Sequence, residues 1–77
     1  MLIIYGNSNC VYCNAAKKLA DSKGVEYEYR NLDEDRYYNE FKILMNGADK
    51  VTIPQIWWDD KYIGGFDQFQ IEINKLY

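Results

Sequence analysis

Apolar residues run unbroken from Leu2 to Tyr5 and stop at Gly6, the pattern of a short strand buried on both faces in a partly parallel sheet. A turn cluster, Gly6-Asn7-Ser8-Asn9, follows. From Val11 the period becomes helical: Cys13, Ala16 and Ala20 recur three and four positions apart with Leu19 alongside, and Lys17 and Lys18 are placed to face water. Gly24 ends this helix as a left-handed cap. Val25, Tyr27 and Tyr29 then alternate with Glu26 and Glu28, which predicts a strand with one buried and one solvated face. A strand–helix–strand unit of this kind joins parallel neighbours.

An acidic turn, Asp33-Glu34-Asp35, opens a second helix with Tyr37, Phe41 and Leu44 on one side and an end near Asn46-Gly47. Ile53 to Trp58 reads as a third strand beginning at Pro54, and Asp59-Asp60 as a two-residue hairpin turn into Lys61-Tyr62-Ile63, so these strands are antiparallel. Trp57 and Trp58 point to opposite faces, and at least one belongs to the core. After Gly64-Gly65, Asp67 and Gln70 have the spacing of a reciprocal cap for a last helix carrying Phe69, Ile73 and Leu76. The predicted order is β-α-β-α-β-β-α.

Seventy-seven residues suffice for one domain, residues 1–77, and not for two. With 48% apolar residues there is material for a core, and the composition argues against disorder. The two cysteines lie too close together to staple the fold, because a bridge over so short a loop removes little entropy from the unfolded chain. The absence of His removes imidazole catalysis and His-ligated metals. Nine Lys and Arg are scattered within a net charge of −3, which argues against a nucleic-acid face. The first apolar run is too short and lacks the basic flank of a signal peptide, and no stretch reaches the roughly twenty apolar residues of a membrane span. A cytoplasmic, reducing setting and a monomer are the expectations.

The chemistry then concentrates on Cys10-Val11-Tyr12-Cys13, which follows a buried strand and opens a helix. A sulfur at a helix N-terminus faces amides without intrahelical partners and the positive end of the macrodipole, so Cys10 is expected to have a lowered pKa and to attack as a thiolate. Cys13, a turn further in and toward the buried side, is expected to stay a thiol and resolve the mixed disulfide. The plainer alternatives are two structural cysteines or half of a zinc site. Zinc takes about four ligands, and the chain has no His and no second cysteine pair.

Cys10-Val11-Tyr12-Cys13, Thr52-Ile53-Pro54-Gln55 and Ile63-Gly64-Gly65-Phe66-Asp67 together resemble the three signatures of the glutaredoxins, and the Cys-Val-Tyr-Cys pair with the Ile-Gly-Gly-Phe-Asp-Gln ending is similar to glutaredoxins of tailed bacteriophages. The resemblance implies a thioredoxin fold with a mixed four-stranded sheet flanked by three helices. It also implies reduction of protein disulfides and glutathione mixed disulfides, with glutathione as reducing cosubstrate and no resident cofactor or metal. Ribonucleotide reductase is one candidate protein substrate. By the same resemblance Ile53 precedes a cis-Pro54 in a Thr52-Ile53-Pro54 turn and lends its backbone to the glutathione cysteine. Gly65, Phe66 and Asp67 hold its γ-glutamyl end, and Tyr12 flanks the bound peptide. An exposed Ile53 amide and carbonyl can pair with an extended peptide as a sheet edge does, and a helix N-terminus favours a carboxylate while Asp67 can receive an ammonium. The plainer readings are a strand-starting Pro54 and a helix-capping Asp67.

One departure stands out. Family members usually carry a Lys three residues before the first Cys, and this chain has Asn7 there. Lys42 and Lys50 are candidates to replace it, with Lys17 further along the first helix, although a solvated surface charge is the plainer reading of each. Two rival functions keep the same motif. One is a glutaredoxin-like redoxin reduced by thioredoxin reductase, whose members carry Ser-Gly-Phe-Arg-Pro where this chain has Gly64-Gly65-Phe66-Asp67-Gln68. The other is a glutathione-ligated [2Fe–2S] protein, which the branched Val11 disfavours by crowding the iron.

Overall fold

The computed structural model describes residues 1–47 and 51–77. Four strands, β1 (Leu2–Gly6), β2 (Tyr27–Asn31), β3 (Gln55–Trp58) and β4 (Lys61–Gly64), and three helices, α1 (Val11–Ser22), α2 (Asp35–Leu44) and α3 (Phe66–Leu76), follow the predicted order. The sheet order is β2-β1-β3-β4. β1 runs parallel to β2, from Leu2 opposite Tyr27 to Gly6 opposite Asn31. It runs antiparallel to β3, which pairs antiparallel with β4. This mixed four-stranded sheet with three helices is the thioredoxin fold expected from the sequence motifs.

α1 and α3 cover one face of the sheet. Leu2, Ile4 and Ile56 from the strands meet Ala16, Ala20, Phe69 and Ile73 from these helices in a fully buried cluster. Small residues on α1 let its backbone lie close to the strands, and Trp58 seals the cluster's edge against Phe69 and Tyr77. Tyr5 points to the other face with Trp57, where their rings meet edge to face at 5.4 Å, a favoured aromatic geometry. Trp57 and Trp58 therefore serve opposite faces, as alternation requires.

Several boundaries differ from the sequence expectation, each for a hydrogen-bonding reason. The second strand was expected from Val25 but begins at Tyr27, because the Val25 amide donates to the Ala20 carbonyl at 2.9 Å and closes the end of α1. Gly24 has φ +69°, the left-handed turn predicted for it. The third strand starts at Gln55 rather than Pro54, which has no N–H to give the ladder and follows a cis peptide bond. The Asp67–Gln70 cap is not formed: Gly65 is the N-cap of α3, and the Gln68 side chain reaches back to its amide at 3.1 Å. The expected apolar faces also shrink, since Leu44 and Leu76 are exposed while Phe41, Phe69 and Ile73 are buried.

α2 is held to the rest of the fold by few groups. Phe41 is its one buried residue among those described and packs 5.5 Å from the Tyr5 ring. Beside it, the Glu40 carboxylate accepts from the Tyr5 hydroxyl and the Arg30 guanidinium. Burial, followed by the acceptor Glu40, pushes the Tyr5 hydroxyl up to about 12, so it remains a donor. The Tyr5 hydrogen bond and the Arg30 charge hold the Glu40 carboxyl below the usual carboxylate range.

At the end of β1, Gly6 lies under Cys13. A methyl group on Gly6 would come within 2.5 Å of the Tyr29 hydroxyl oxygen and 2.6 Å of the Cys13 sulfur. Only a residue without a side chain lets α1 and β2 close over this point.

Two outcomes follow for stability. A carboxyl whose folded pKa is lowered contributes stability present above its unfolded value, about 4.3, and loses it as pH falls through the folded value. Glu40→Gln is expected to lower the urea midpoint at pH 7 by less than about 1 kcal/mol equivalent, since its side chain is 43% exposed. The difference is expected to narrow as pH falls through the lowered folded value, and a gap of equal size across the acid range contradicts this. Gly6→Ala overpacks the Cys13–Tyr29 contact and is expected to cost about 1–3 kcal/mol in urea unfolding; an unchanged midpoint rules this out.

Candidate active site

Asn7, Ser8 and Asn9 carry the chain from β1 into α1 along a tethered path. The Asn7 carboxamide oxygen accepts from the Asn9 amide at 3.2 Å, and its carbonyl accepts from the Tyr29 hydroxyl at 2.6 Å. Asn31 reaches Ser8 at 3.2 Å, and the Leu32 amide donates to the Gly6 carbonyl at 2.8 Å. Asn7, where a Lys was expected, therefore contributes an Asx-type turn rather than a charge.

Cys10 is the N-cap of α1. Its backbone is extended (φ −106°, ψ 115°), and its sulfur takes the place usually filled by a Ser or Asp oxygen, accepting from the Cys13 amide at 3.1 Å. The first turn holds no acidic side chain, so no carboxylate competes with the sulfur for the helix's positive end. Cys10 is half-buried and Cys13 fully buried, and the two sulfurs are joined in a disulfide. The asymmetry expected from sequence is thus built in: one sulfur at the surface on the dipole, the other inside.

Beside Cys10 an open groove is lined by Tyr12, Thr52, Ile53, Pro54, Gly65, Phe66, Asp67 and Gln68. All seven noncysteine residues expected at the site line it. The Ile53 carbonyl oxygen lies 3.9 Å from the Cys10 sulfur, and the Ile53–Pro54 bond is cis. The rings of Tyr12 and Phe66 face one another at 5.8 Å and wall the groove's apolar side. At its α3 end the first-turn amides lack intrahelical partners, and among the described residues that line the groove Asp67 is the charged one. Gly64, at φ +117°, makes the turn that brings these amides round.

Of the lysines considered as replacements for the missing one, Lys42 lies on α2 against the Tyr38 ring, 5.6 Å from its centroid, and does not line the groove. Lys17 does not simply face water: its ammonium sits 4.1 Å above the Tyr29 ring. Lys50 lies outside the described residues.

Three residues that shape the site escaped sequence reasoning. Gln55 is buried at 6% exposure, and its amide donates to the Thr52 carbonyl at 2.7 Å while its carboxamide oxygen accepts from Tyr62. It thereby holds the Thr52-Ile53-Pro54 turn from behind. Its signals were a polar residue inside an apolar strand and its place at the end of the Thr52-Ile53-Pro54-Gln55 signature. Gly6 resembled a simple strand terminator, and Tyr29 a core residue; their roles depend on contacts across the fold.

Residues 2–63 match the glutaredoxin family. The chain is 39% identical over 64 residues to glutaredoxin 3 of Escherichia coli strain K12, covering 83% of this chain and 75% of that protein. It is 35% identical over 66 residues to glutaredoxin 1 of Rickettsia conorii, covering 86% of this chain but only 65% of that relative's length. A crystal structure of a buckwheat glutaredoxin–glutathione complex superposes with a TM-score of 0.80 at 27% identity, covering 96% of this chain and 68% of the other. Fold, cysteine placement and family match converge: the chain belongs to the glutaredoxin family, and its Cys10–Cys13 pair is that of a thiol–disulfide oxidoreductase.

Proposed function

We propose that this chain is a dithiol glutaredoxin that uses glutathione to reduce protein disulfides and glutathione mixed disulfides, with Cys10 as nucleophile and Cys13 as resolving thiol. The observation that carries this reading is the Cys13 amide donating to the Cys10 sulfur, which lies beside Ile53 of the groove. An N–H aimed at a sulfur from a helix N-terminus favours its anion, and the anion is the attacking species.

In the forward direction the Cys10 thiolate attacks a substrate disulfide, a bond forms between the two sulfurs, and the departing thiolate takes a proton. Cys13 then gives up its proton, bonds to Cys10 and releases the second substrate thiol. The Cys10–Cys13 disulfide is the product of this cycle, and two glutathione molecules return it to the dithiol while becoming one glutathione disulfide. The first glutathione attacks the accessible Cys10 sulfur and Cys13 leaves, taking a proton; the second attacks the glutathione sulfur of the mixed disulfide, and Cys10 leaves as its stabilised thiolate.

Glutathione is read into the groove as an extended peptide. Its cysteine backbone pairs with Ile53, and Tyr12 and Pro54 flank it. The γ-glutamyl carboxylate meets the amides at the start of α3 beside Gly65 and Phe66, with its ammonium on Asp67. That a neighbouring fold was crystallised as a glutathione complex supports this reading. The protein substrates are disulfides in a reducing cytoplasm, with ribonucleotide reductase as one candidate and the chain acting as a monomer.

Turnover is expected with NADPH, glutathione reductase and glutathione; turnover supported by thioredoxin reductase alone overturns the choice of reductant. Cys10→Ser is expected to abolish all exchange, whereas Cys13→Ser is expected to keep reduction of glutathione mixed disulfides and lose reduction of protein disulfides. Residual exchange in Cys10→Ser removes Cys10 from its role. Asp67→Asn is expected to raise the KM for a glutathionylated substrate about tenfold with little change in kcat, the scale of one lost charge-assisted hydrogen bond. An unchanged KM takes the ammonium off Asp67.

A further inference from the structure

Cys13 has a neighbour that the reaction described above does not use. The space where a Gly6 side chain would stand is shared by the Tyr29 hydroxyl oxygen, at 2.5 Å, and the Cys13 sulfur, at 2.6 Å. Phenol oxygen and sulfur thus border the same methyl-sized volume, each within 2.6 Å of its centre. The phenol's own proton is already committed, because the hydroxyl donates to the Asn7 carbonyl at 2.6 Å. What the oxygen turns toward Cys13 is therefore its lone pairs, which can accept a hydrogen bond but offer none.

We propose that in the reduced protein the Tyr29 hydroxyl oxygen accepts the S–H of Cys13 and so keeps the inner sulfur a thiol while Cys10 is the thiolate. The inference rests on the division of roles between the two cysteines proposed above. It assigns Tyr29 as a positioning residue that acts through Cys13. A lone pair held against a sulfur favours the neutral S–H and opposes the negative charge of S⁻. The fully buried position of Cys13 pushes in the same direction.

The groups surrounding this pair leave the phenol a fixed acceptor. Lys17 of α1 sits above the Tyr29 ring rather than at its oxygen. Burial, then the charges of Asp33 and Tyr27, push the Tyr29 hydroxyl up, so it holds its proton. From β1 the space is bounded by Gly6, which has no titratable group, and from α1 by Cys10, the bonding partner of Cys13. When Cys13 resolves a mixed disulfide, its proton leaves for the departing thiolate, the sulfur turns to Cys10, and the Tyr29 oxygen keeps its bond to Asn7 throughout.

The test uses the Cys10→Ser protein, in which Cys13 is the one thiol. Its S–H stretching band in the infrared is expected at the lowered frequency of a hydrogen-bonded thiol, and Tyr29→Phe in that background is expected to return it to the free-thiol position. The same substitution is expected to lower the pH midpoint for alkylation of Cys13 by about one unit, making the reaction roughly tenfold faster at neutral pH. A free-thiol band in Cys10→Ser itself, which needs no tyrosine variant to fold, overturns the proposal. An alkylation midpoint that stays or rises in Tyr29→Phe does so as well. Failure of the underlying division of roles has a separate signature: Cys13→Ser with full protein-disulfide reduction removes Cys13 from resolution whatever the infrared band shows.

Discussion

At the start of α1 a backbone N–H from Cys13 points at the Cys10 sulfur across 3.1 Å, and the chemistry of the chain is organised around that contact. Helices leave their first amides unsatisfied, and most satisfy one with a neutral or anionic oxygen. Here the acceptor is a sulfur, so the groups that cap the helix are also those that favour the anion of the proposed nucleophile. A serine or aspartate in its place would cap the helix as well and do no exchange. The rest of the fold has one demand placed on it: to bring the groove to this sulfur and to keep the second sulfur beneath it.

That demand explains where the structure spends its polar interactions. Gln55 is a buried carboxamide at the edge of the core, and each of its hydrogen bonds is directed to Thr52 or Tyr62. It converts the loop before β3 into a fixed wall beside Cys10. On the other side, Tyr29, Asn31 and Leu32 tie the approach to α1 down to β2. The sulfur is thus held between two anchored segments that are distant in sequence and joined through the sheet.

α2 stands outside this arrangement. Its attachment through Phe41 and the Tyr5–Arg30–Glu40 cluster serves the opposite face of the sheet, where Tyr5 and Trp57 need cover. The division is economical in a chain of 77 residues. One face supplies most of the apolar core, and the other uses aromatic rings and a charged cluster to cover a sheet that a single short helix cannot bury.

Local patterns were enough to specify the elements of this protein, their order and the placement of Cys10 and Cys13 at a helix start, while the groove residues were implied by the resemblance to the glutaredoxin signatures. Alternation in residues 25–29, the three-and-four spacing of Cys13, Ala16 and Ala20, and the Asp59-Asp60 turn are set by neighbours a few positions away, and each element formed where those neighbours required it, within a residue or two. Boundaries moved where a backbone group found a partner that pattern does not encode, as when Val25 closed α1 or Gln68 capped α3. The roles of Gly6, Tyr29 and Gln55 were decided only by tertiary structure. Each consists of a contact between segments brought together by the sheet, and the need for a missing Cβ, a shared space or a buried carboxamide arises only once those segments have met.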